Sequence, residues 1–458
     1  MPTAKRVHEV RDAIHAFVRL DSTEREVLDC PALQRLRYIH QLGLSHLVYP
    51  GATHKRLEHS LGVMELAGRV FDVVTNADFV TDQVKELIPE VKDRDTRAYW
   101  RRVLRMAALC HDVGHLPFSH GAEDLFPRGW DHERLTAEII MSDEMSAIWR
   151  SMTPPLRAED IAKLAVGAEK AAKLTMGDLT DWETILSEII VGDAFGVDRM
   201  DYLLRDSLHA GVAYGRFDHY RLIDTLRILT PPPSKQGEES KEPTLGVEEG
   251  GLHSAEALLL ARYFMFTQVY WHPVRRIYDI HLKDFLSYWL PSGRFSKSLR
   301  RHIQMTDNEV MSALRDASSR KSADGHDHAV RIIGRRHFKL VYERNPGDLK
   351  VDLEAAEHVY RATCSQFGAA AVRKDIYRQG DMQEGAQERT QDSTQVDFPV
   401  LTRRNTVESA VALSDVLKRV PLAAAEYVFV APDVLEDARK WLTANRTDII
   451  AMEKEEDQ

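Results

Sequence analysis

Apolar residues recur at three- and four-residue spacing through the first half of this chain, in "EREVLDCPALQRLRYIHQL", "HSLGVMELAGRVFDVV", "YWRRVLRMAALCHDV" and "LSEIIVGDAFGVDRMDYLLRDS". That period lines the apolar side chains along one face of each helix, and such a face has to be buried against another element. Loops rich in Gly, Pro and Asp punctuate the pattern. Residues from about 5 to 230 therefore read as a helical bundle. Part of residues 231–251, "PPPSKQGEESKEPTLGVEEGG", reads as an exposed loop, the tip of a hairpin between "LRILT" and "TLGVE". Helix resumes at "SAEALLLARYFMFTQVYW" and is expected to run to about Leu290 with a kink at Pro273.

After residue 335 the pattern changes. "HFKLVYE", "DFPVLT" and "EYVFVA" are short β-like runs, separated by amphipathic segments such as "TVESAVALSDVLKRV" and "VLEDARKWLTAN". The expected organisation is a helical core over residues 1–330 and a small α+β region over 331–458. Within the latter, "YRQGDMQEGAQERTQDSTQ" is polar enough to be a mobile linker.

Composition narrows the function classes. With 43% hydrophobic residues the chain is not disordered as a whole, and its most apolar run, "ALLLARYFMF", is interrupted by Arg262, so no membrane partner is expected. "MPTAKRVHEVRD" has no apolar stretch behind its basic residues, which disfavours a secretory signal and points to the cytoplasm. Cys30, Cys110 and Cys364 form no C-x-x-C pair, so any metal must be held by nitrogen and oxygen. A net charge of −10 argues against a nonspecific nucleic-acid coat as the main function, although a local basic cleft can still bind phosphates.

The densest chemistry lies in "CHDVGHLPFSH", residues 110–120, where Gly114 and Pro117 end a helix so that His111 and Asp112 fall in its last turn. "HKRLEHSLGV" adds Arg56, Glu58 and His59, "DHERL" adds His132, and "GVDRMDYLLRDS" places Asp198, Tyr202 and Asp206 near one helix face. Asp201 and Arg205 can pair on the neighbouring face, a local stabiliser of a few tenths of a kcal/mol, roughly. Taken singly, each of these is more often structural. Imidazoles and carboxylates from separate helices, however, are a common way for a bundle to hold Mn²⁺, Fe²⁺, Mg²⁺ or Zn²⁺. The second His-Asp pair, in "GHDHAV", has no such companions, and His326 reads as part of a solvated loop.

The order "RLEHSLGV", "CHDVGHLPFSH", "VDRMDYLLRD" resembles the HD-domain superfamily of metal-dependent phosphohydrolases. "DCPALQRLRYIHQLG", "VYPGATHKRLEHSLGVMELAG", "WDHE" and "ARYFMFTQVYWH" extend the resemblance, over roughly residues 8 to 290, to the deoxynucleoside triphosphate triphosphohydrolases. No segment resembles the sterile-alpha-motif domain that some of them carry. The resemblance implies a mainly α fold, an HD-domain helical bundle with a small α+β C-terminal region. It implies His59, His111, Asp112 and Asp198 as ligands of a divalent metal, with His115, His120 and His132 contacting phosphates and moving protons. It implies Arg56, Arg199 and Arg262 as cationic contacts, Gln41 and Asp206 at the sugar 3′-hydroxyl, and Tyr202 and Tyr270 crowding the 2′ position.

The expected activity is hydrolysis of a dNTP to deoxynucleoside and inorganic triphosphate, with His120 or His132 as acid for the 5′-oxygen. That chemistry needs a Lewis acid, an activated water, cations for the phosphates and a proton donor. Asp29, Gln34 and Arg37 match positions that read a guanine base at a subunit interface, which implies a dGTP or GTP activator. "HEVRD" and Pro273 depart from the activated pattern, and helix-packing polar residues account for the three matches equally well. A homotetramer or homohexamer is implied. The alternatives are an HD-type phosphodiesterase acting on cyclic, oligo- or alarmone nucleotides, and a nucleotide-sensing or single-strand nucleic-acid-binding assembly.

Overall fold

The computed structural model describes residues 7–231, 242–378, 396–421 and 423–451, apart from the side chains of His120, Tyr377 and Arg378. The hairpin tip at 232–241 and the polar stretch at 379–395 lie outside the described residues. The fold is mainly α with three small sheets among the described residues.

The helices that build the site are α1 (Ser22–Leu28), α2 (Pro31–Arg35), α3 (Arg56–Val74), α4 (Arg94–Cys110), α5 (His132–Ile140), α6 (Ala158–Val166), α7 (Asp181–Val191) and α8 (Val197–Ala210). Short polar side chains cap α1, α4, α5 and α7: Asp93 accepts the Thr96 N–H at 2.6 Å before α4, and Asp131 accepts that of Arg134 at 2.8 Å before α5. Gly211, in the left-handed conformation at φ 72°, ends α8. α3 is central and buried on most of its surface. Val63, Met64, Leu66, Ala67 and Val70 join Val103, Leu104, Ala107 and Ala108 of α4 in one core. Each large apolar side chain buried there contributes roughly 1.5–3 kcal/mol.

Four expectations are corrected. The N-terminal residues are not helical: β1 (Val7–Asp12) and β2 (Ala16–Asp21) form an antiparallel hairpin. Its second strand alternates exposed Phe17 and Arg19 with buried Val18 and Leu20, a period of two rather than 3.6. The long helix expected to kink at Pro273 is instead two helices, α9 (Leu252–Met265) and α10 (Pro273–Trp289), joined by a π-helical turn at Phe266–Tyr270. Proline has no N–H and would strike the carbonyl of the previous turn, so Pro273 opens a new helix and His272 caps it. "GHDHAV" is not a solvated loop. After α11 (Asp307–Ser319), Gly325 at φ 73° starts α12 (His326–Ile333), where Ala329 and Ile332 are buried and the His326 ring nitrogen meets the Ala317 carbonyl at 2.9 Å. Finally, "TVESAVALSDVLKRV" forms a short strand and one helical turn rather than an amphipathic helix.

The expected hairpin joins β3 (Leu226–Leu229) to β4 (Thr244–Glu248). C-terminal strands β5 (Lys339–Glu343), β6 (Val372–Arg378) and β9 (Ala424–Val430) form an antiparallel sheet in the order β5–β9–β6. One face, with Val372, Val428 and Val430, is covered by α13 (Ala355–Phe367) and α14 (Leu435–Ala451). The other, with Tyr427 and Phe429, packs on Trp271 and Ile277 at the start of α10. The remaining strands, β7 (Pro399–Leu401) and β8 (Val407–Ser409), leave this region. β7 pairs in parallel with β4, and Phe398, Val400 and Leu417 enter the helical core. No helix among the described residues is long and apolar enough to cross a membrane.

The loop after α4 is held by Asp307, which is buried. Phe118 and Ser119 both adopt positive φ, 57° and 58°, an unfavourable conformation for non-glycine residues that surrounding contacts must hold. Asp307 supplies one of them. Its Oδ1 accepts the Phe118 N–H at 2.7 Å, while Oδ2 accepts the His40 N–H at 2.8 Å and lies 2.6 Å from His40 Nδ1. Asp307→Ala, which strips these charge-assisted bonds from buried donors, is expected to lower stability by about 3 kcal/mol or more in urea unfolding.

Candidate functional site

Four side chains from α3, α8 and the end of α4 converge. Asp198 Oδ1 lies 3.0 Å from His59 Nε2 and 3.5 Å from His111 Nε2. Asp112 Oδ1 lies 3.4 Å from His111 Nε2, and Asp112 Oδ2 lies 3.7 Å from His59 Nε2. The outer ring nitrogens are committed elsewhere: His111 Nδ1 donates to the Ala108 carbonyl at 2.8 Å, and His59 Nδ1 donates to Asp201 Oδ2 at 2.8 Å. Both Nε2 atoms therefore face the carboxylates, and that of His111 is buried without a hydrogen-bond partner among the described residues.

This donor set fits a divalent cation. Burial opposes charge on His59, yet Asp198, Asp201 and Asp112 outweigh it and push the imidazole up to about 10. Burial likewise opposes ionisation of both carboxylates, but Arg56, His111 and His115 hold Asp112, and His111 and His59 hold Asp198, well below the usual carboxylate range. A cation between them can take the place of the proton on His59.

Asp201 is the residue whose role sequence reasoning underestimated. It does pair with Arg205, as the spacing implies, but both side chains are fully buried and the carboxylate takes further partners. Its carboxylate receives Arg205 Nε at 2.8 Å, Arg205 Nη2 at 2.9 Å, His15 Nε2 at 2.7 Å and His59 Nδ1 at 2.8 Å. An imidazole ligand oriented by a carboxylate on its outer nitrogen is a recurrent feature of metal centres. Gly62 makes room for it, since a Cβ there would fall 1.9 Å from Asp201 Oδ1. Gly114 plays a similar part at the loop, where a Cβ would lie 2.1 Å from the His132 carbonyl oxygen.

A cavity of about 460 Å³ opens from the four side chains. Of the residues singled out from the sequence, Gln41, Arg56, His115, His132, Arg199, Tyr202, Asp206, Arg262 and Tyr270 all line it. Lys170, Arg275 and Arg276 line it too and were missed, having no marked motif around them. Arg56 donates to Asp112 and, at 2.9 Å, to Ser119 Oγ. Arg199 is engaged with the Gly192 and Asp193 carbonyls. Asp206 receives the Tyr270 hydroxyl at 2.8 Å and His54 Nε2 at 2.7 Å, and the Tyr202 and Tyr270 rings meet edge-on at 5.9 Å.

His115 and His132 stack at 4.2 Å with opposite electrostatics. Burial, Arg56 and His132 depress His115 well below its ordinary value. For His132 burial acts the same way, but Glu123 and Glu133 reverse it and raise the group to about 9. The His120 side chain lies outside the described residues. Asp29, Gln34 and Arg37 are not at the cavity. They sit around the α1–α2 turn, where Asp29 accepts from Arg25 at 3.1 Å and Arg37 donates to Gln34 at 2.7 Å.

A separate grouping, His281, Asp284 and His328, has metal-like composition but unsuitable protonation. The Phe338 N–H donates to His281 Nε2 at 3.2 Å, which places the ring proton on Nδ1, and Arg373 lies 3.4 Å from Asp284.

Residues 56–167 match the HD domain and residues 217–372 match the HD associated region. The chain thus carries an HD domain followed by an HD associated region. It is similar to the solved structure of a hypothetical protein from Aquifex aeolicus, with a TM-score of 0.73 and 30% identity over 95% of this chain and 100% of that one. It is 33% identical over 278 residues to the uncharacterized protein YwfO of Bacillus subtilis, covering 60% of this chain and 54% of YwfO. It is 28% identical over 388 residues to human deoxynucleoside triphosphate triphosphohydrolase SAMHD1, covering 78% of this chain and 58% of that enzyme. The chain spans about half the length of the first two curated relatives it matches.

Two outcomes follow from the Asp201 cluster. Arg205→Met leaves Asp201 and Asp12 without their buried counter-charge and is expected to cost about 3–5 kcal/mol by chemical denaturation. Gly62→Ala displaces the Asp201 carboxylate, so Mn²⁺ affinity followed by electron paramagnetic resonance should fall about tenfold or more.

Proposed function

We propose that this protein is a metal-dependent deoxynucleoside triphosphate triphosphohydrolase that releases deoxynucleoside and inorganic triphosphate. One observation carries the reading: a single cavity joins the His59, His111, Asp112 and Asp198 centre to a dense basic lining and to a sugar-sized corner of Gln41, Asp206, Tyr202 and Tyr270. A divalent metal held there would supply Lewis acidity at the α-phosphorus and lower the pKa of a water.

The chain's own residues account for the rest. Arg262 is half-buried beside Arg199, and desolvation together with that charge pulls it down to about 10. A polyanion in the cavity relieves the cost of keeping such guanidiniums charged. Arg56, Lys170, Arg199 and Arg262 bind the phosphates, Arg199 by exchanging its carbonyl partners for them. His132, charged at neutral pH, protonates the departing 5′-oxygen, with His120 as the alternative donor. His115, neutral, accepts a hydrogen bond or a proton. Asp206 and Gln41 hold the 3′-hydroxyl, and Tyr202 and Tyr270 leave no space for a 2′-hydroxyl. The similarity to SAMHD1 supports the same substrate class.

Nucleotide activation belongs to this proposal as well. A guanine nucleotide, dGTP or GTP, would bind near Asp29, Gln34 and Arg37. Its effect would reach the catalytic loop through Arg35 on the same short helix, whose Nη2 donates to the His115 carbonyl at 2.8 Å. A cytoplasmic homotetramer or homohexamer is the proposed assembly.

Product chromatography from α-labelled dNTPs, singly and in pairs, over a panel of metals, tests the reading. Deoxynucleoside and triphosphate are expected, with activity lost on chelation and restored by added metal. Monophosphate with pyrophosphate and no triphosphate would refute it. His59→Ala should abolish turnover while His326→Ala retains it. Tyr270→Ala should raise kcat/KM for a ribonucleotide relative to its deoxy counterpart by roughly tenfold or more, read from competitive hydrolysis.

A further inference from the structure

We infer that His15, in the turn of the N-terminal hairpin, is a positioning residue for the metal centre and acts through Asp201. The inference rests on the reading of His59 as a metal ligand. His15 lies 186 residues from Asp201 in the chain, yet its imidazole is completely buried and its Nε2 donates to Asp201 Oδ1 at 2.7 Å.

The turn that carries it is built around that contact. Asp12 Oδ1 accepts the N–H groups of Ile14 and His15, each at 2.8 Å, which fixes the backbone beneath the imidazole. Asp12 Oδ2 receives Arg205 Nη1 at 2.9 Å, so the turn is tied to α8 at a second point. It is the turn, rather than the exposed face of the strands, that reaches the site.

The geometry explains why a fourth donor matters. Arg205 bonds both Asp201 oxygens, but it sits on the same helix as Asp201 and constrains the carboxylate from one side only. His59 approaches Oδ2 and His15 approaches Oδ1. With His15 in place the carboxylate plane is fixed at both oxygens, and the His59 ring is aimed with it. Without His15, the Oδ1 side is held by Arg205 alone, and the plane that orients His59 can tilt.

Cobalt(II), whose visible absorption reports ligand geometry, is the probe. His15→Ala should weaken Co²⁺ binding by about 10–100-fold and alter the absorption bands. His15→Gln, whose amide N–H can extend toward the same carboxylate, should recover most of the affinity. His15→Asn, too short to reach it but suited to a turn, should behave like the alanine variant and serves if that one folds poorly. Phe17→Ala, at an exposed position on the same hairpin, should leave Co²⁺ affinity unchanged. The inference is overturned if His15→Ala and His15→Asn bind Co²⁺ within about twofold of wild type. It is equally overturned if Phe17→Ala loses as much affinity, since the hairpin would then be only a general stabiliser. Unchanged Co²⁺ binding by His59→Ala would instead overturn the metal assignment on which the inference rests.

Discussion

A single buried carboxylate, Asp201, neutralises and orients the groups around which the rest of the site is assembled. It takes two nitrogens of Arg205 and one each of His15 and His59, all within 2.9 Å. A charge in such a place is tolerable only because every lone pair is used, and the same requirement dictates the packing. α3 must present a glycine where Asp201 lies, the N-terminal hairpin must bring its turn inward, and α8 must carry Arg205 one turn beyond Asp201. Three segments distant in sequence are thereby locked to one another at the position where His59 needs a partner.

The cavity beyond this cluster is lined by charge of both signs. Arg56, Lys170, Arg199, Arg262, Arg275 and Arg276 share its wall with Asp206, Glu133, Glu169 and Asp193. The depressed Arg262 shows the strain of that arrangement, because desolvation beside Arg199 makes its charge costly. The contrast between His115 and His132, two stacked imidazoles pushed in opposite directions by Arg56 and by Glu123, separates groups of one type into a neutral and a charged member.

The C-terminal sheet contributes without supplying a group at the metal. Its β9 strand packs through Tyr427 and Phe429 on Trp271, and the Tyr427 hydroxyl donates to the Trp271 carbonyl at 2.9 Å. Asp375 on β6 takes Arg276 in a two-point bond at 2.6 and 2.7 Å. Both contacts brace the junction of α9 and α10, where the π-helical turn sets Tyr270 against Asp206. The break at Pro273 is thus part of how that corner of the cavity is shaped.

Much of this was legible in the chain itself. The 3.6-residue period specifies helices whatever they pack against, and glycine and proline end them locally, so the helical core, the turn after Cys110 and the imidazole-rich loop could be read directly. The quoted motifs also pointed to residues that prove to share one cavity. Local reading failed where neighbours decide. The hairpin at residues 7–21 is a strand pair because its partner strand and the Asp201 cluster stabilise it, and "GHDHAV" is a helix because α10 and α11 provide a surface for Ala329 and Ile332. Lys170, Arg275 and Arg276 carry no local mark of a binding role. By itself the sequence determined which side chains with metal- and phosphate-binding chemistry exist, and on which helices. Only the tertiary structure decided which of them meet, because hydrogen bonds of less than 3 Å between residues nearly two hundred positions apart depend on packing that no local pattern encodes.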